Sequence, residues 1–130
     1  MKGYLTNIEK ATKENTDFRR VLYTGKHSQL VLMSLKPGEE IGEEVHHLDQ
    51  FIRFEEGEGK VIINGIESAV AAEDAVVIPE GARHNVVNTG GINLKLYTIY
   101  SPPEHRDGVI RHTKKEAEES EEHFDGKTTE

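Results

Sequence analysis

The heptapeptide EVHHLDQ, residues 44 to 50, sets two carboxylates, two imidazoles and an amide close together. In an extended strand alternate side chains share a face, so Glu44 and His46 point together, with bases about 7 Å apart, while Val45 and His47 point away. The same alternation turns Gln50 inward. Carboxylate oxygen, neutral imidazole nitrogen and amide carbonyl oxygen are all ligands for a divalent ion such as zinc, manganese, iron or nickel. Some thirty residues further on, PEGARHNVVN (79 to 88) supplies His84. Taken alone, an E-x-H pair on a strand reads as a surface ion pair. A bulge in the strand would turn His47 inward in place of His46, and the pleat favours His46.

Such a set has to be carried by short strands. From Asp17 onward, segments rich in Val, Ile, Leu, Tyr and Phe alternate with Gly, Pro and Asn at intervals near ten residues, the pattern of an all-β sandwich or barrel. The expected strands are 18–24, 29–35, 43–47, 50–56, 59–64, 66–70, 75–79, 83–88 and 93–101. Nine of them in one domain call for two sheets or a closed barrel, because open edges invite aggregation. Asn64-Gly65 is the dipeptide preferred by a type I′ hairpin, and Pro37-Gly38, Pro79-Glu80-Gly81, Gly90-Gly91 and Pro102-Pro103 mark further turns. Ahead of the strands, Thr6 and Glu9 read as a capping box for a helix over 7–14.

Alternation assigns Ile52, Phe54 and Val86 to the core, with Leu94, Leu96, Thr98 and Tyr100 on one inner face, Tyr100 within reach of a cavity. It places Phe18, Phe51, Arg53 and Ile99 on outer faces, which predicts that an outer sheet pairs with a second copy as a homodimer. His27, His105, His112 and His123 read as surface residues.

The 130 residues suffice for one domain: a barrel over 1–112, including the N-terminal segment, followed by a charged, flexible tail over 113–130. That tail carries seven acids against three lysines, half of the net charge of −8. An acidic balance speaks against a nucleic-acid partner, whose phosphates need a basic face. No apolar run reaches the roughly 20 residues of a membrane span, and the N-terminus has no apolar signal segment, so a cytoplasmic protein with neither membrane nor nucleic-acid partner is expected. The sequence has no cysteine, which excludes disulfides, thiolate catalysis and Cys-type zinc sites.

Glu44-x-His46, then Gln50 past three intervening residues, Gly57 past six more, and then Pro79-x-Gly81-x-x-His84-x-x-x-Asn88 resemble the two motifs of the cupin superfamily, G-x5-H-x-H-x3,4-E-x6-G and G-x5-P-x-G-x2-H-x3-N. The resemblance spans Pro37 to Asn88 and implies an all-β double-stranded β-helix, the jelly-roll barrel, with short N- and C-terminal helical segments. It implies a divalent metal on Glu44, His46, Gln50 and His84. Glu44 stands at the first histidine position of the pattern and Gln50 at the glutamate position, so carboxylate and neutral ligand have traded places and the net ligand charge is kept. Glu73 occupies the site of the second motif's opening glycine. The ligand types are similar to those of type I phosphomannose isomerases, cupins whose zinc is held by a glutamine, a glutamate and two histidines in another order.

These expectations describe a small metal-binding cupin acting on a sugar-like, hydroxy-carbonyl or carboxylate molecule by Lewis-acid catalysis, with isomerase-like chemistry. Two alternatives stand beside it: an iron-dependent oxygenase using Glu44, His46 and His84 as a 2-His-1-carboxylate set, and a non-catalytic metal or ligand-binding module.

Overall fold

A computed structural model describes residues 1–130. In chain order the elements are α1 (Ile8–Glu14), β1 (Arg19–Thr24), β2 (Gln29–Leu35), β3 (Glu44–Val45), β4 (Asp49–Glu56), β5 (Glu58–Ile63), β6 (Ile66–Ala71), β7 (Ala75–Ile78), β8 (Arg83–Asn88), β9 (Leu94–Ser101), β10 (Ile110–Arg111) and α2 (Lys114–Glu119). The strands form a six-stranded sheet, β10-β1-β2-β9-β4-β7, and a four-stranded sheet, β3-β8-β5-β6. All pairings are antiparallel. The sheets enclose one core between them, the jelly-roll arrangement that the motifs imply. No helix is long and apolar enough to cross a membrane.

Alternation builds that core. Val31, Met33 and Leu35 from β2, Ile52 and Phe54 from β4 and Leu94 and Leu96 from β9 face Val61 of β5 and Val86 of β8. Each buried aliphatic or aromatic side chain contributes roughly 1.5–3 kcal/mol by leaving water. At the β5–β6 hairpin Asn64 and Gly65 take φ of +48° and +82°, the left-handed pair that a type I′ turn needs. Gly57 is required for a different reason: at φ +91°, a Cβ there would lie 2.6 Å from the carbonyl oxygen of Asn93.

Glu73, where the family pattern has glycine, keeps the glycine conformation at φ +77°. The turn is held by Glu73 N–H donating to Phe54 O (2.8 Å) and Ala71 N–H donating to the Asp74 carboxylate (2.8 Å).

Several expectations change. The cap of α1 is Asn7, whose side chain accepts from the Lys10 N–H, so the expected Thr6–Glu9 capping box does not form. Phe18 is not on an outer face; it is 3% exposed and joins the core. The chain beyond Pro103 returns over it, with Phe18 N–H donating to His112 O and Ala117 of α2 in the same apolar cluster. Such a return of distant chain has no local periodicity to announce it. The third change is β3, which ends at Val45 rather than at His47.

The segment 113–130, expected as a flexible tail, carries α2. It also donates from Phe124 N to Glu104 O (2.9 Å) and from Thr129 N to Thr24 O (2.9 Å).

Candidate functional site

The four-stranded sheet brings Glu44 and His84 together, because β3 and β8 pair in a register that sets these two residues directly opposite each other. After Val45 the chain leaves that sheet, crosses the barrel mouth and enters the six-stranded sheet as β4 at Asp49. His46 therefore sits on the crossing, and Gln50 on the far wall between Ile78 of β7 and Tyr100 of β9. Side-chain alternation persists through the crossing: His46, Leu48 and Gln50 are buried, while His47 and Asp49 are exposed.

The Pro79–Ala82 turn is fastened to this crossing at two points. Gly81 N–H donates to His46 O (2.9 Å) and Glu80 N–H donates to Asp49 Oδ1 (2.9 Å). The same turn orients the last histidine, since His84 Nδ1 lies 2.9 Å from Ala82 O. A carbonyl only accepts, so Nδ1 carries the hydrogen and His84 Nε2 presents a lone pair.

Ligand atoms of Glu44, His46 and His84 all lie within 4.8 Å of one another. The imidazole centroids of His46 and His84 are 5.1 Å apart. His46 Nε2 is 3.4 Å from Glu44 Oε2, and its Nδ1 faces Glu104 Oε2 at 3.7 Å. Gln50 donates from Nε2 to Thr98 Oγ1 (3.0 Å), which leaves its carbonyl oxygen bare.

Three atoms here, His46 Nε2, His84 Nε2 and Gln50 Oε1, are buried without any hydrogen-bond partner. A buried orphan of this kind costs about 1–3 kcal/mol. Two of them, His46 Nε2 and His84 Nε2, cluster with the Glu44 carboxylate in a donor set that a divalent ion fits.

Burial dominates the electrostatics. Although 34% of its side-chain surface stays open, Glu44 is desolvated by its surroundings, and with Arg19 opposing and Glu104 adding, its carboxyl is pushed up to about 7. Burial, together with the charges of His84 and His105, holds His46 down at about 4. His46 thus favours the neutral form that ligation needs. Burial also raises the Tyr100 phenol, which stays protonated.

Beside Glu44 opens a cavity of about 250 Å³ whose lining includes Arg19, Glu44, Glu104, His105 and Glu122. His105 is 6% exposed, so the expectation of a surface histidine is corrected. It lies there because the buried Gln29 amide clamps its backbone, donating to His105 O (2.7 Å) and accepting from His105 N–H (2.9 Å). Tyr100 stands edge-on to both His46 and His105, with centroids 5.9 and 5.2 Å away. Arg19, Glu104, His105 and Glu122 escape sequence reading; the one local signal was Pro102-Pro103, which ends β9 and turns the chain back. His112 and His123 are exposed, paired with Asp17 (2.7 Å) and Glu104 (3.7 Å) respectively, and His27 is exposed as well.

Comparison with known proteins agrees with this geometry. A family model described as "Cupin domain" matches residues 31–100. The chain is similar to YrkC of Bacillus subtilis, with 46% identity over 123 residues, which are 89% of this chain and 66% of that protein; it thus spans about two thirds of that relative's length. Among solved structures it resembles a Bacillus halodurans protein, at 46% identity and TM-score 0.90, covering 92% of this chain and 96% of that one. It also resembles a predicted oxalate decarboxylase from Thermotoga maritima, at 26% identity and TM-score 0.57, covering 59% and 68%.

Proposed function

The chain belongs to the cupin family, and from that premise we propose that Glu44, His46, Gln50 and His84 hold a divalent metal ion that acts on a small polar molecule of the hydroxy-carbonyl, sugar-like or carboxylate kind. The observation that carries this reading is the clustering of two partnerless buried nitrogens, His46 Nε2 and His84 Nε2, with the Glu44 carboxylate, and the bare Gln50 Oε1 supports it. A surface ion pair needs none of them bare. When bound, a divalent ion supplies Lewis acidity, polarising a carbonyl or carboxylate oxygen.

The chain's own residues do the rest. Tyr100 and Thr98 close the inner wall, Thr98 fixing the amide of Gln50. Glu104 faces the second nitrogen of His46, where a carboxylate orients a ligating imidazole. Arg19 lines the cavity next to Glu44 and offers a cation to an anionic group. The name of the Thermotoga maritima relative, a predicted oxalate decarboxylase, supports a small oxygen-rich ligand. We assign the outer face of the six-stranded sheet, where Phe51 packs on Tyr97 at 6.3 Å, to a second copy of the chain; light scattering at micromolar concentration tests that assignment.

Substitution tests the metal site. Glu44→Ala is expected to keep its far-ultraviolet circular dichroism and lose its metal; a variant that retains stoichiometric metal would contradict the ligand set. A second reading, iron-dependent oxygenation, is favoured by one observation: the clustered triad of Glu44, His46 and His84 is a 2-His-1-carboxylate set. Oxygen consumption by the iron-loaded protein separates the two, since an isomerase consumes none.

A further inference from the structure

The cavity next to Glu44 contains a histidine that the ligand set does not use. His105 Nδ1 lies 3.1 Å from Glu122 Oε1. Arg111 donates to the other oxygen of Glu122 (3.0 Å), and Arg19 Nη1 stands 3.9 Å away. Burial alone would raise the Glu122 carboxyl, but the hydrogen bond from His105 and the charges of His105, Arg19 and Arg111 outweigh it and hold Glu122 below the usual carboxylate range. Burial keeps His105 neutral in turn.

An ionised carboxylate only accepts, so Nδ1 carries the hydrogen of His105 and Nε2 the lone pair. His105 Nε2 is buried and has no partner. A histidine that merely tethers the C-terminal segment would need Nδ1 alone, and the contact with Glu122 leaves Nε2 unused in a residue lining the cavity that Glu44 also lines. A carboxylate fixing the tautomer of an imidazole whose far nitrogen is free is the arrangement of a general base.

Resting on the reading of the neighbouring site as one that polarises an α-hydroxy carbonyl, we propose that His105 is the proton acceptor of the reaction and Glu122 its positioning residue. The Nε2 lone pair forms an N–H bond as the C–H bond next to the carbonyl breaks. The C–H electron pair becomes a C=C bond, and the carbonyl π pair moves to oxygen, leaving an enediolate and an imidazolium paired with Glu122. Return of the proton to carbon reverses each movement, so no oxidant or reductant is consumed.

Two measurements test this. In metal-free, 15N-labelled protein at pH 7.5, side-chain nitrogen NMR is expected to show His105 neutral with hydrogen on Nδ1, and E122Q to shift hydrogen to Nε2. In D2O, the zinc-loaded protein is expected to exchange the C–H protons of dihydroxyacetone or glyceraldehyde, read by mass spectrometry. H105Q is expected to slow that exchange by about 10²–10⁴-fold with zinc binding by calorimetry unchanged.

An imidazolium or an Nε2–H tautomer in the wild type, wild-type exchange by H105Q, or no exchange of either probe by the zinc-loaded wild type would overturn the assignment of His105. Failure of the wild type to bind zinc at all would overturn instead the reading on which the assignment rests. The tautomer is read in the wild type, so the test survives a variant that does not fold.

Discussion

Replacing Gln50 with methionine should change stability little without metal and weaken the stabilisation that metal gives. Methionine has a similar volume, so the packing penalty is small. In the presence of a chelator the substitution removes a buried carbonyl oxygen that has no partner, worth about 1–3 kcal/mol, and breaks the 3.0 Å bond to the buried Thr98 Oγ1, leaving that hydroxyl unpaired at a cost of about 1–3 kcal/mol. The two terms nearly cancel, so the net change in chelator is expected to lie within about 2 kcal/mol of zero, or within roughly 8 °C in Tm for a chain of this size. With free zinc at a hundredfold excess over Kd, the wild type gains about 2.7 kcal/mol. Each tenfold loss of affinity lowers that gain by about 1.4 kcal/mol, so Q50M should gain about 1.4 kcal/mol or less. Paired thermal melts of both proteins, in chelator and in zinc, read all four values. If Q50M lost more than about 2 kcal/mol in chelator, or gained as much from zinc as the wild type, Gln50 would be an ordinary core amide and the reasoning from its bare oxygen would fail.

Other consequences follow from the same geometry. Glu44 is held protonated up to about pH 7 whereas His46 is neutral down to about pH 4; between these values the Glu44 proton competes with metal and that of His46 does not. Zinc affinity measured by calorimetry should therefore fall about tenfold per unit as pH drops below 7 and level off above it, and a flat profile from pH 5.5 to 8.5 would exclude Glu44 as a ligand. Asn88→Ala should cost about 2–4 kcal/mol in urea unfolding, because Asn88 donates to Leu35 O and Ile92 O and accepts from Gly90 N–H, each at 2.9 Å. Glu73→Gly should stabilise by about 0.5–1 kcal/mol, since glycine relieves the left-handed backbone cost while adding chain entropy; a loss in the same urea assay would mean that the Glu73 side chain supports the turn.

Strand positions were legible wherever one face is buried. The expected β2 and β8 coincide with the observed ones at both ends, and His84 lies on β8, because alternation across a two-sheet core leaves little freedom of register. The shared burial of His46, Leu48 and Gln50 was legible for the same reason, since the inward phase carries on through the crossing from one sheet to the other. What the pattern could not reveal depends on distant pairs. Phe18 is covered by a segment that arrives about a hundred residues later, and His105 is buried by Gln29 and Glu122, 76 and 17 residues away. Charged runs such as KKEAEESEEHF look solvated in one dimension, yet Glu122 lies within this run and its side chain is only 5% exposed, between the guanidinium groups of Arg19 and Arg111. Glu73 shows the converse: the backbone conformation of the family's glycine is retained although the residue is not.

The central claim, that Glu44, His46, Gln50 and His84 hold a divalent metal, is tested most directly by elemental analysis of protein purified without chelators, followed by zinc, manganese, iron and nickel titration of the stripped protein. The account predicts close to one equivalent of metal per chain, native or restored, and its loss in a Glu44→Ala, His84→Ala double variant. Native protein free of metal, together with no binding of any of the four ions, would contradict it.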